Sequence, residues 1–181
     1  MGPRPVMLIR HGEKPGKDGE HPLGVDHDGA ADHDSLCPRG WQRAGALVRL
    51  FNPNARSAAD TRIAIPRRLF AMAPRDTSKR PHQTLRPLAD DLGLAIDVHI
   101  QRDDIKSLVD AINLYDDPLL VCWEHHRIPH IASQLTEGAV AVPDWPDDRF
   151  DMVWLFMLRD GTWHFEQVPQ LLLAGDRSDP I

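Results

Sequence analysis

Cysteine is scarce in this 181-residue chain: Cys37 and Cys122 are the two present, and neither stands at metal-ligand spacing from a His neighbour. They read as buried or bystander thiols, which leaves no cysteine-built metal site. Long apolar runs are missing too, none approaching the roughly 18 residues that a membrane helix needs. The first residues run straight into a strand without a long apolar leader or a cleavage-like site, so a cytoplasmic location with no membrane partner is expected. Positive charge is not in excess, with 21 Lys and Arg against 27 Asp and Glu. That balance argues against a general nucleic-acid footprint and still permits a local basic pocket for an anion. No internal repeat, low-complexity tract or linker divides the chain. Residues 1–181 therefore read as one domain, long enough to bury about two-thirds of the surface that its unfolded form exposes.

What is present begins with Val6-Met7-Leu8-Ile9-Arg10-His11-Gly12-Glu13, an apolar strand ending in a cation, an imidazole and a glycine. Such a corner holds a neutral ring nitrogen beside a phosphate and lets the backbone approach it closely. A polar loop over residues 14–35, rich in Gly, Asp and His, adjoins the corner, and loops of that length are usually functional or disordered. Within it His21, His27 and His33 lie among Asp26, Asp28, Asp32 and Asp34. A transition metal accepts such ligands, but no Cys or helix fixes their geometry, so a solvated, specificity-setting loop is the preferred reading. Neither a metal nor another cofactor is expected.

Periodicity supplies the architecture. Trp41, Ala44, Leu47, Val48 and Phe51 form the stripe of a helix that starts at Pro38 and stops at Asn52-Pro53-Asn54, with Arg39, Arg43 and Arg49 free to face solvent. Three further stripes follow: Leu85, Leu88, Ala89 and Leu92, ending at Gly93; Ile105, Leu108, Val109 and Ile112; and Ile128, Ile131, Ala132 and Leu135, ending at Gly138. Strands are expected over 69–73, 95–100 and 118–124, between the helices. Residues 151–158 and 162–166 flank Asp160-Gly161, a hairpin signal. Alternating strands and helices predict an α/β three-layer sandwich: a mostly parallel central sheet, helices on both faces, and an antiparallel edge hairpin near the C-terminus.

Four blocks in this order, the Arg-His-Gly corner, Leu36-Cys37-Pro38-Arg39-Gly40-Trp41-Gln42-Arg43-Ala44, Ser78-Lys79-Arg80-Pro81-His82-Gln83-Thr84 and Leu119-Leu120-Val121-Cys122-Trp123-Glu124-His125, resemble the histidine phosphatase superfamily, the phosphoglycerate mutase-like proteins. The resemblance covers residues 6 to about 135 and is greatest to small bacterial members with an Arg-His-Gly-Glu-Lys-Pro start. It implies that His11 is a nucleophile forming a phosphohistidine, with Arg10, Arg80 and His125 holding the phosphoryl oxygens. Arg10, Arg80, Gly12 and Glu13 are the expected substrate contacts. His125 is preferred to His126 because it follows the apolar run directly.

The general acid is the open position. Asp104 is the first candidate and Asp103 the alternative, although an aspartate opening a helix is as often an N-cap. Glu13 and Glu124, beside the two histidines, are reserves. Trp145, between Asp144 and Pro146, is a candidate for lining the cleft. The expected activity is metal-independent hydrolysis of a phosphomonoester or phosphohistidine, on a small phosphorylated substrate or a phosphoprotein. The alternatives are a catalytically weak phosphate-binding or protein-interaction module and, third, a phosphoglycerate-type mutase, for whose lid the chain has little room.

Overall fold

The computed structural model describes residues 4–52, 62–74 and 78–181. Pro53 and Asn54, expected to end the first helix, lie outside them. The first strand, β1 (Arg4–Arg10), alternates Val6 and Leu8 on one face with Met7 and Ile9 on the other, and all four are buried. Apolar residues on both faces demand neighbours on both edges and helices above and below. The chain continues through α1 (Pro38–Phe51), β2 (Arg68–Ala71), α2 (Arg80–Leu92), β3 (Ile96–Asp97), α3 (Ile105–Asn113), β4 (Leu119–Trp123), α4 (Ile128–Leu135), β5 (Met152–Arg159) and β6 (Thr162–Pro169).

These strands form one six-stranded sheet in the order β3-β2-β4-β1-β5-β6. The run from β3 to β1 is parallel, whereas β5 and β6 are antiparallel, as the Asp160-Gly161 signal predicts. Both turn residues adopt positive φ, 49° and 76°, the geometry that matches a turn to the twist of its strands. On one face α1 and α2 lay Leu47, Phe51, Leu85 and Leu88 against Met7, Ile9, Leu120 and Cys122. On the other, α3 and α4 lay Leu108, Ile112, Ile128 and Ile131 against Val6, Leu8, Val121 and Trp123. Each such Leu or Ile contributes roughly 1.5–3 kcal/mol by leaving water, so these two layers dominate stability. Both cysteines are free and buried. Among the described residues no helix is long and apolar enough to cross a membrane.

Helix ends follow local chemistry. Gly93 closes α2 at φ 65°, and Gly138, at φ 75°, donates its amide to the Ser133 carbonyl at 2.8 Å beyond α4. Two expectations need correction. The strand expected over 95–100 is reduced to Ile96–Asp97, because the His99 amide turns back to Asp97 Oδ1 at 3.0 Å and leaves the ladder. Arg43, expected in solvent, is 2 % exposed on the core side of α1, while Trp41 turns toward the preceding loop and donates Nε1 to the Val25 carbonyl. The arginine occupies an apolar stripe because two carboxylates distant in sequence, Glu13 and Asp176, meet it there at 2.8 and 2.7 Å. Burial alone would favour losing its proton; the bonds to Asp176 and Glu13 more than reverse that and raise its pKa.

Candidate active site

Parallel pairing of β1, β4 and β2 brings their C-terminal ends to one edge of the sheet, where ligands of α/β sheets bind. Arg10 lies opposite Trp123, so His11 emerges beside the segment 124–126. His11 continues the ladder, its amide donating to the Trp123 carbonyl at 3.3 Å, and its ring is 4 % exposed. Nδ1 lies 2.8 Å from the Gly12 carbonyl. A carbonyl only accepts, so Nδ1 carries the hydrogen and Nε2 keeps the lone pair. Burial first, then the charges of Arg10, Arg80 and His125, push the imidazole down to about 3 against the pull of that carbonyl. The ring is neutral at pH 7.

Arg10 is 1 % exposed, and its Nη1 donates to the carbonyls of Pro146, Asp147 and Arg149 at 3.1, 2.7 and 2.9 Å. The guanidinium lies 3.8 Å over the Phe150 ring. Its other nitrogens, Nε and Nη2, are buried without a hydrogen-bond partner, as is Nε of Arg80. A buried donor without an acceptor costs about 1–3 kcal/mol, and a charged one more, so these atoms mark a place for an anion. Burial lowers Arg10 to about 10, opposed by Asp147 and Glu124, and it remains charged at neutral pH. Arg80 is the first residue of α2 and donates Nη1 to the His33 carbonyl at 3.3 Å. Thr84 joins corner to helix: its Oγ1 accepts from the Gly12 amide and donates to the Arg80 carbonyl, both at 2.8 Å.

His125 is buried: Asp147 Oδ1 lies 2.5 Å from Nε2 in a hydrogen bond, whereas Glu124 Oε1, 2.9 Å from Nδ1, is outside hydrogen-bond geometry and leaves that nitrogen unpartnered. Burial opposes the charge on Glu124, but His125 and the His126 amide outweigh it and hold the carboxyl at about 2. Asp147 is likewise held below the ordinary carboxylate range, chiefly by His125. His126 stacks on His125 at 3.9 Å between ring centroids and is exposed.

Other expected residues go elsewhere. Glu13 gives its carboxylate to Arg43 and Arg39, anchoring α1. Gly12 owes its missing side chain to α1, since a Cβ there would meet the Gly40 carbonyl oxygen at 2.9 Å. Asp104 is the N-cap of α3 and accepts from the Ser107 amide. Asp103 pairs with Arg102 and Arg127, which hold it ionised. Both aspartates line a groove with Lys106 and His130 rather than the surroundings of Arg80. Trp145 is core: it packs on Trp154 and donates Nε1 to the Arg149 carbonyl at 2.9 Å. The loop over 14–35 is stapled to α2 by the Leu36 amide donating to Gln83 Oε1, by Gln83 Nε2 donating to Ser35 Oγ and by the pair Lys79–Asp32. Its histidines do not converge; among the described residues Glu124, His125 and His126 are the group whose ligand atoms could meet on a metal ion. Beside Arg80 the loop encloses a cleft of about 310 Å³ lined by Lys14, Pro15, Gly16, Lys17, His33 and Arg80.

Sequence reasoning missed Asp147, Phe150 and the carbonyls that clamp Arg10. The only signal was a pair of aspartates after Trp145-Pro146, which does not reveal that this loop folds over β1.

No family model matches the sequence, and no curated protein is similar to it in sequence. Its structure is similar to that of the protein histidine phosphatase SixA complexed with tungstate, with a TM-score of 0.59 at 15 % identity over 92 % of this chain and 97 % of that one. The chain shares the fold of that phosphatase structure. The alpha-ribazole phosphatase of Shigella flexneri gives a TM-score of 0.55 at 12 % identity, covering 90 % of this chain and 94 % of its own. A phosphoserine phosphatase of Entamoeba histolytica gives 0.53 at 11 % identity, with the same coverage. In this fold the Arg-His-Gly corner, the start of α2 and His125 share one edge of the sheet.

Proposed function

We propose that this protein is a phosphatase that takes a phosphoryl group onto Nε2 of His11 and passes it to water. The observation that carries this reading is the bond between His11 Nδ1 and the Gly12 carbonyl, which leaves Nε2 unprotonated on a ring within the field of Arg10 and Arg80, both of which keep unpartnered guanidinium nitrogens. In the first step the Nε2 lone pair forms a P–N bond while the P–O or P–N bond to the leaving group breaks. Arg10, Arg80 and His125 take up the charge of the equatorial oxygens, the main requirement of a loose transition state. In the second step a water oxygen attacks phosphorus, the P–N bond breaks, and inorganic phosphate departs as His11 regains its lone pair. The guanidiniums supply the positive charge that a metal would otherwise provide, so the proposed reaction needs none.

Leaving groups follow from the carboxyls. Glu124 and Asp147 stand near His125 but are ionised, and an alkoxide needs a proton donor far more than an imidazole does. The reading therefore favours phosphohistidine or another activated phosphoryl group over alkyl phosphates, and one structural neighbour is a protein histidine phosphatase. The same ionised carboxyls support a second reading, a phosphate-binding module without turnover. One experiment separates them. Given a reactive phosphoryl donor, wild type should acquire an acid-labile, base-stable label that then turns over, with EDTA making no difference, and His11→Ala should acquire none. A label that survives acid, or that persists in His11→Ala, removes His11 as nucleophile. A stable complex with no label selects the binding module.

A further inference from the structure

The chain contains four lysines, Lys14, Lys17, Lys79 and Lys106. Lys79 is paired with Asp32 and Lys106 with Asp110. Lys14 and Lys17 have no salt-bridge partner among the described residues, and both line the 310 Å³ cleft that Arg80 shares with His33. In a protein of net charge −6, these two ammonium groups thus line one cleft with a guanidinium whose Nε is buried and unpartnered. Two nearby carboxylates are engaged elsewhere. Asp32 is committed to Lys79 and the Ser35 hydroxyl, and Asp34 lies 4.0 Å from the His33 ring and acts on Arg80. The cleft is continuous with the catalytic edge: Arg80 belongs to both, and the charge of Lys14 is felt at Asp147, which touches His125. Its volume is that of a small-ligand site.

Building on the phosphatase reading, we propose that this cleft is a subsite for a second anionic group, so that the substrate is a compact molecule carrying a phosphoryl or carboxylate group besides the phosphoryl group that is transferred. Lys14 and Lys17 hold that second group, and Arg80 spans the two. Primary ammonium groups bind either oxyanion as point charges, so the shared chemistry is a bis-anion.

Non-hydrolysable probes test this without turnover. Methylphosphonate offers one anionic group, phosphonoacetate adds a carboxylate, and methylenediphosphonate adds a second phosphonate. By calorimetry at fixed ionic strength, wild type should bind at least one bis-anion about tenfold or more tighter than methylphosphonate. The doubly substituted Lys14→Ala, Lys17→Ala protein should lose most of that excess while its methylphosphonate affinity changes less than about twofold. Which bis-anion wins identifies the second group. Equal binding of all three probes by wild type overturns the subsite, and so does an equal loss for all three in the variant, which would mark a general field effect. The outcome is separable from that of the labelling experiment. A bis-anion preference without a phosphohistidine leaves the subsite standing and removes the phosphatase; a phosphohistidine without the preference does the reverse.

Discussion

For the proposed role of His11 its imidazole has to resist protonation, and it does so by sitting in a place that penalises charge. That penalty is also a stability statement. The unfolded chain binds a proton at this histidine below about pH 6.5, whereas the folded chain does so only near 3, so the folded state is favoured above 6.5 and loses stability as pH falls from 6.5 toward 3. Between pH 7 and 5 the wild type should lose about 2 kcal/mol more stability than His11→Asn, measured by urea unfolding. His82, lowered by burial with the same sign, is present in both proteins and cancels. Equal losses would show that the ring is not neutral by burial. Asp147 makes the second residue-scale case. Its carboxylate, 76 % exposed, occupies the His125 nitrogen that a phosphoryl oxygen would use in the proposed mechanism, where the two anions would compete. Asp147→Asn should bind orthophosphate about 3–10-fold more tightly, read by calorimetry, and weaker binding would show that Asp147 assists the anion. The Arg10-His11-Gly12 corner was legible in the sequence because its chemistry is local. Asp147 was not, because only tertiary contact puts residue 147 beside residue 125.

At the scale of elements, the Arg10-His11-Gly12 corner is set by how closely α1 approaches the end of β1. A Cβ on Gly40 would stand 2.5 Å from the Glu13 carbonyl oxygen, too near for any relaxation confined to a side chain. Gly40→Ala should therefore cost about 1–3 kcal/mol in stability and lower the rate of His11 phosphorylation, since the corner must shift to admit the methyl. A loss of rate with unchanged stability would separate the two effects and contradict the packing argument. Beneath this contact Arg43 ties Glu13 to Asp176 and Gln170, so a charged network serves as the mortar of the corner. Helix stripes were readable because 3.6-residue periodicity survives in the sequence, and all four helices lie where it placed them. The burial of Arg43 was not readable: a guanidinium on an apolar stripe looks like a solvated residue until its two carboxylates are brought from outside the helix.

Over the whole molecule, alternation of strands and helices was enough to give a mostly parallel sheet with an antiparallel hairpin. Strand order was beyond it, because pairing such as Val6 with Leu119 and Phe156 is decided by contacts across most of the chain. That order has a consequence in time. Both neighbours of β1, the strands β4 and β5, are made well after it, and Arg10 finds its carbonyl acceptors as far as 139 residues downstream. At about 5–20 residues per second, roughly 7–28 seconds separate the synthesis of Arg10 from that of its last carbonyl acceptor, and for most of that time both edges of the strand are uncovered. The same central placement that buries His11 in the finished protein thus makes β1 the segment most in need of shelter during synthesis.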